Sequence, residues 1–205
     1  MKTKSTQNLT GIIIAALSAT LSAVGAGNTP GGFTTEPDKT MAAAHESFVK
    51  KDMNKAAEQV HKAAATVKKE SESVAAGAKD GMRKAGAELD ELGDSVKNGT
   101  VKSEAELKKT FAKVDHQIAD CWHKTAAESK KSGKDSTADL AKAGTSLENS
   151  AKWSGNKLKE GTQSSVDAIK KAGKATGQGI KTGAEEVGKW FQNLGDGISD
   201  LGKKL

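Results

Sequence analysis

In a chain of 205 residues only 33 are Leu, Ile, Val or Phe, aromatic residues make up 3%, and tyrosine is absent, while 28% of residues are charged. That apolar share is roughly 16%, under the 20% of ordinary cored domains, so the composition speaks against a dense core and for an elongated or partner-dependent ordered state. The net charge of +6 is spread over interleaved acids and bases, which suits a solvated helix face that favours anionic lipid headgroups and not the one-signed block of a nucleic-acid arm.

The chain opens with Lys2 and Lys4 ahead of an apolar stretch, Gly11 to Ala26, that closes on Ala23, Gly25 and Ala26. This layout predicts a signal peptide over residues 1–26, cleaved near Gly25 to Gly27, and hence an exported protein of the periplasm or cell envelope, or a secreted one. The stretch is about 16 residues long against the about 20 of a membrane span, which leaves an uncleaved anchor as the alternative. Residues 27–40, with Gly27, Asn28, Pro30, Gly31, Gly32 and Pro37, form a Gly/Pro-rich linker, where backbone freedom and fixed proline angles oppose regular structure.

Beyond Pro37 no proline occurs. Over residues 41–97, the first helical arm, a stripe runs Val49, Met53, Ala56, Val60, Ala64, Val67, Ser71, Val74, Ala78, Met82, Ala85, Leu89, Leu92, Val96. Steps alternating between three and four place these on one helix face. As one helix, the arm would be about 85 Å long at 1.5 Å per residue.

Asn98 and Gly99 interrupt the pattern, and Ser103 with Glu106 supplies a capping box for a second helix over 103–131, making this the best hairpin point in the chain. The cluster Ser132, Gly133, Lys134, Asp135, Ser136 predicts another break. A Gly-rich helical region, 136–205, follows. Through this second half small and apolar residues return every eleven positions: Leu107, Ile118, Ser129, Leu140, Ala151, Thr162, Gly173, Ala184, Gly195 on one row, and Val114, Leu147, Leu158, Ile169, Ile180, Phe191 on another, interrupted by Thr125 and Ser136. Eleven residues in three turns is about 3.67 per turn, a period of long helices with at most a slow right-handed supercoil. The expected fold class is all-α: long amphipathic helices in an elongated hairpin or loose bundle, partly disordered in isolation, since glycine at 155, 161, 173, 177, 179, 183 and 188 costs about 1 kcal/mol each in a helix interior.

The strongest functional signal is the C-terminal helix. Val187, Trp190, Phe191, Leu194, Ile198, Leu201 and Leu205 share an arc of about 100 degrees, with Lys189, Asp196, Asp200 and Lys203 opposite. Such a face either lies in a membrane interface, where anionic lipid would be the partner, or packs on a helix. Cys121, the only cysteine, cannot close an internal disulfide; it stays free or bridges two copies in a homo-oligomer. His116, Asp120 and His123 fall at i, i+4 and i+7, one helical face that could offer ligands to a divalent metal. Neither G-x-S-x-G nor a phosphate-cradling glycine loop occurs, and the pattern places all carboxylates on solvated faces, with no apolar pocket to raise a pKa. The sequence therefore predicts no enzyme, no catalytic residue, no cofactor, no assigned metal ligand, no nucleic acid and no small-molecule substrate.

The eleven-residue period, segments such as Ala78-Lys79-Asp80-Gly81-Met82-Arg83-Lys84-Ala85-Gly86-Ala87-Glu88, and the recurring Lys-Ala-Gly at 84–86, 142–144 and 171–173 resemble group 3 late-embryogenesis-abundant proteins and, more loosely, exchangeable apolipoproteins. The likeness covers residues 41–205. It implies a hydrophilic chain that becomes helical on drying or on lipid and shields membranes or client proteins in a stress-protective role. The chain departs from that family in Trp122, Trp153, Trp190 and Phe191, and in its signal peptide. Three readings result: an exported membrane-surface or client-binding protein with a protective or envelope-organising role; a helical-hairpin or coiled-coil interaction protein with a helical protein partner, disulfide-dimerised through Cys121; and a weak divalent-metal binder.

Overall fold

A computed structural model of the protein describes residues 32, 33, 35–176 and 183–205, with side chains described through residue 172 in the first of these helical stretches' last helix. The signal expected over residues 1–26, the start of the linker, and Gly177, Gly179 and Ile180 lie outside the described residues. Seven helices follow in chain order among the described residues: α1 (Asp38–Val49), α2 (Met53–Glu70), α3 (Ala76–Lys97), α4 (Glu104–Lys131), α5 (Thr137–Ser154), α6 (Glu160–Thr176) and α7 (Ala184–Gly202). No strand occurs among the described residues, and the fold is all-α.

The first arm is not one 85 Å rod but α1, α2 and α3. Lys51 adopts a left-handed backbone (φ 62°), and the Asp52 carboxylate then caps α2 by accepting from the Lys55 N–H at 3.2 Å. At the other end of α2 the Ser71 hydroxyl donates to the Lys68 carbonyl. The chain turns over residues 71–75, where the Ala75 N–H donates to Thr125 Oγ1 of α4 at 3.0 Å. These two turns fold the single apolar stripe back on itself, so that α2 and α3 bury it against each other.

Small residues make that packing close. Ala56, Ala63 and Ala64 are fully buried, and a Cβ added at Gly86 would stand 3.3 Å from the Ala64 carbonyl oxygen. Leaving out side-chain bulk lets helix axes approach, so a chain poor in large apolar residues still excludes water from its interior. This is the physical reason that the composition undercounts the core.

Gly99, at φ 66°, ends α3, and Ser103 caps α4 by accepting the Glu106 N–H at 3.2 Å while the Glu106 carboxylate reaches back to the Lys102 N–H at 3.0 Å. α4 is the central helix, packed on α1, α3, α5 and α7. Gly133 and Gly155, both left-handed, bound α5.

The interior divides into two apolar clusters. One joins α1, α2 and α3 to one face of α4 and to Ala143 and Trp153 of α5, around Met41, Phe48, Met82, Leu89, Phe111 and Trp122. The other is built by α5, α6 and α7 with Ala119 and Ala126 of α4, around Leu140, Leu147, Val166, Ile169, Trp190, Leu194 and Leu201.

Candidate functional site

Two places in the fold carry more polar or amphipathic chemistry than packing requires: the seam between α4 and α7, and a buried polar layer where α1, α4 and α5 meet. On α7, Trp190, Leu194, Ile198 and Leu201 are buried in the second cluster and Val187 and Phe191 are partly buried around it, while Leu205, just past the end of α7, is partly buried against both clusters. The whole face expected to meet a membrane or partner is thus brought together, and α4, α5 and α6 cover it.

The seam is closed by the two α4 histidines. His116 Nε2 donates to the Ile198 carbonyl at 2.7 Å, and His123 Nε2 donates to the Phe191 carbonyl at 3.0 Å. Seven residues along α4 match seven residues back along α7, as antiparallel helices require. Each accepting carbonyl lies four residues before a glycine, and that gap admits the ring: a Cβ at Gly202 would stand 2.9 Å from His116 Nε2, and one at Gly195 would stand 3.4 Å from His123 Cε1. The His123 ring also meets Phe191 with centroids 4.9 Å apart. Both histidines that sequence reading aligned as ligands are therefore engaged with α7, and Asp120 pairs with Lys124 at 2.6 Å. Among the described residues no group of three His, Cys, Asp or Glu converges to hold a metal ion.

Cys121 is buried against α3, its Sγ 2.9 Å from where a Cβ on Gly81 would lie. Burial, with the Asp120 charge adding to it and Lys124 opposing, pushes its thiol up to about 11. A bridge to a second chain would need α3 and α4 to part.

The buried layer was missed in the sequence, and it corrects the reading that every carboxylate is solvated. Asp38, the first residue of α1, and Asp115, in the middle of α4, are 2% and 0% exposed, beside Asn149 of α5. Loss of water raises the Asp38 carboxyl, with Asp115, Asn149 and Lys152 pulling back only in part. Asp115 is held well above the usual carboxylate range by burial first and by the neighbouring Asp38 second. Two such groups cannot both ionise in a dry interface, so the pair keeps a proton. Aromatic rings from the same elements pack together: Trp153 stacks on Phe33 at 4.7 Å and tilts against Phe111 at 5.0 Å and His45 at 5.7 Å. Asp115 was detectable in the sequence, because it stands on the apolar stripe four residues after Phe111 and three before Ile118.

A cavity of about 290 Å³ opens at this layer, lined by Thr35, Asp38, Glu70, Trp122, Lys142 and Ser146 among others. The Lys142 ammonium stands 3.6 Å above the Trp122 ring centre. Burial raises the Glu70 carboxyl, opposed by the Lys142 charge and by a hydrogen bond with Trp122.

Among the described residues no helix is long and apolar enough to cross a membrane. No family model, no curated protein and no solved structure matches the chain.

Proposed function

We propose that the protein is a non-enzymatic, exported helical protein that associates with membrane surfaces or client proteins in a protective or envelope-organising role, keeping its binding face folded inward until a surface is offered. The observation that carries this reading is the organisation of α7. Its apolar face belongs to a cluster distinct from the one that joins α1, α2 and α3. It is held to α4 across small residues and two histidine–carbonyl bonds.

Glycines at 188, 195, 197 and 202 remove about 1 kcal/mol each of intrinsic helicity, so α7 depends on cover for its structure. Burying each large side chain of its face stabilises by about 1.5–3 kcal/mol whether the cover is protein or lipid. The two covers are thus close in free energy, and an anionic surface can compete with the bundle.

The test uses the full chain with phosphatidylglycerol vesicles containing brominated acyl chains. Transfer of the face to lipid is expected to quench tryptophan emission from Trp190, to leave total helicity intact, and to bring the protein down with the vesicles. Absence of both co-sedimentation and quenching removes the reading. The competing reading, a structural helical-bundle interaction protein, draws on the same covered face; it is favoured by a sharp melt in plain buffer that vesicles leave unchanged.

A further inference from the structure

We propose that the cavity between the start of α1, the end of α2 and the facing sides of α4 and α5 is a binding site for a small organic cation carrying a primary ammonium group, with Lys142 as its built-in occupant. The charges around it favour such a ligand. Glu36, Asp38 and Glu70 line the cavity, and Lys142 is the one cation among its lining residues. Glu36 accepts from the Thr40 hydroxyl. Asp38, 2% exposed, faces Asp115 and Asn149, and its charge reaches Glu70 through the cavity wall.

The wall is equally suited. An aromatic face attracts a cation placed within about 6 Å of its centre, most strongly for tryptophan. The 3.6 Å approach of Lys142 to Trp122 shows that an ammonium fits there beside the Glu70 carboxyl. Lys142 is itself an exposed residue, so its side chain can swing into water and yield the position. At about 290 Å³ the cavity lies at the small end of ligand sites, which run from about 300 Å³ upward. That size suits an aliphatic diamine or a molecule near an amino acid in bulk. The site uses no residue of the α7 face, so it stands or falls apart from the membrane reading.

The experiment is calorimetric titration of the full chain with putrescine near neutral pH, on the native protein, Lys142→Ala, and Lys142→Ala combined with Glu70→Gln. Circular dichroism verifies that each is folded, and Lys142→Gln serves as a second vacated form. Putrescine is expected to bind the Lys142→Ala form about tenfold more tightly than the native protein, the scale of one freed cation–aromatic contact. Adding Glu70→Gln is expected to reverse that gain. The proposal is overturned if the native protein gives no heat at millimolar putrescine, or if both vacated forms give none. It is equally overturned if the response survives Glu70→Gln, or if sodium or magnesium chloride at equal ionic strength reproduces it.

Discussion

Asp38, at the start of α1, faces Asp115, in the middle of α4, inside the bundle, and the two carboxyls retain a proton that solvated aspartates lose well below neutral pH. Asn149 lies beside them, and Lys152 of α5 acts only through its charge. The Asp38 group rises from 3.8 to about 6 on folding. A carboxyl raised in this way binds more protons folded than unfolded, so the stability it confers is complete below the unfolded value and is lost as pH climbs through the folded one.

For Asp38 that window runs from 3.8 to about 6, and the loss across it amounts to about 3 kcal/mol. Asp115→Asn removes the second negative charge and supplies an amide donor. Its unfolding free energy, measured in urea, is expected to match the native protein near the acid end of the window and to exceed it by about 1–3 kcal/mol above neutrality. Parallel pH profiles for the two proteins would show that Asp38 and Asp115 do not hold a proton between them.

The Cys121 thiol gives a second test, of the α3–α4 seam. Raising a thiol from 9.0 to about 11 lowers its thiolate fraction near neutral pH about a hundredfold, and only the thiolate reacts. Labelling by a thiol reagent is expected to be slow by at least that factor in buffer and to become fast in urea. Electrophoresis without reductant is expected to give a monomer. A ready disulfide dimer would mean that α3 and α4 part far more easily than Gly81 packed on Cys121 implies.

Much of the interior was legible in the sequence. Val60, Ala64, Val67, Met82, Leu89 and Val96 of the first stripe are all buried, as are Leu107, Ile118, Leu140 and Ala151 of the eleven-residue row. What the pattern could not convey is where the chain folds back. A stripe with steps of three and four reads the same along one rod as along two antiparallel helices, and the left-handed residue that breaks it is Lys51, with no glycine to mark it. Counting large apolar residues also misled, because alanine and glycine contribute to this core by letting helices approach. The face of α7 was legible as a unit; its cover was not, because the features that seat it are two histidines and the glycines opposite them.

Those histidines define the third prediction. Replacing a hydrogen-bonded side chain at this seam costs about 1 kcal/mol for the bond, with a further cost for the space left behind. His116→Ala and His123→Ala together are expected to raise hydrogen exchange in α7 while leaving α2 and α3, which belong to the other cluster, unchanged. Under the proposed function the same double variant binds anionic vesicles more tightly than the native protein. Faster exchange spread evenly over all helices would show instead that the two clusters unfold as one unit.

The last prediction turns on the sign of two glycine replacements in α7. A glycine inside a helix is normally improved by alanine, by about 0.5–1 kcal/mol. At Gly188 nothing lies within 4 Å of an added Cβ, so Gly188→Ala is expected to stabilise by that amount. At Gly197 the added atom would stand 2.4 Å from Thr162 Cγ2 and 3.1 Å from Leu147 Cδ2. Thr162 cannot easily turn away, since its hydroxyl donates to the Asn193 carbonyl at 3.2 Å. Overpacking of this kind costs about 1–3 kcal/mol, which outweighs the gain in helix propensity, so Gly197→Ala is expected to destabilise in urea unfolding. If both replacements stabilise alike, α7 does not rest on α5 and α6 in solution, and its apolar face is already free for another surface.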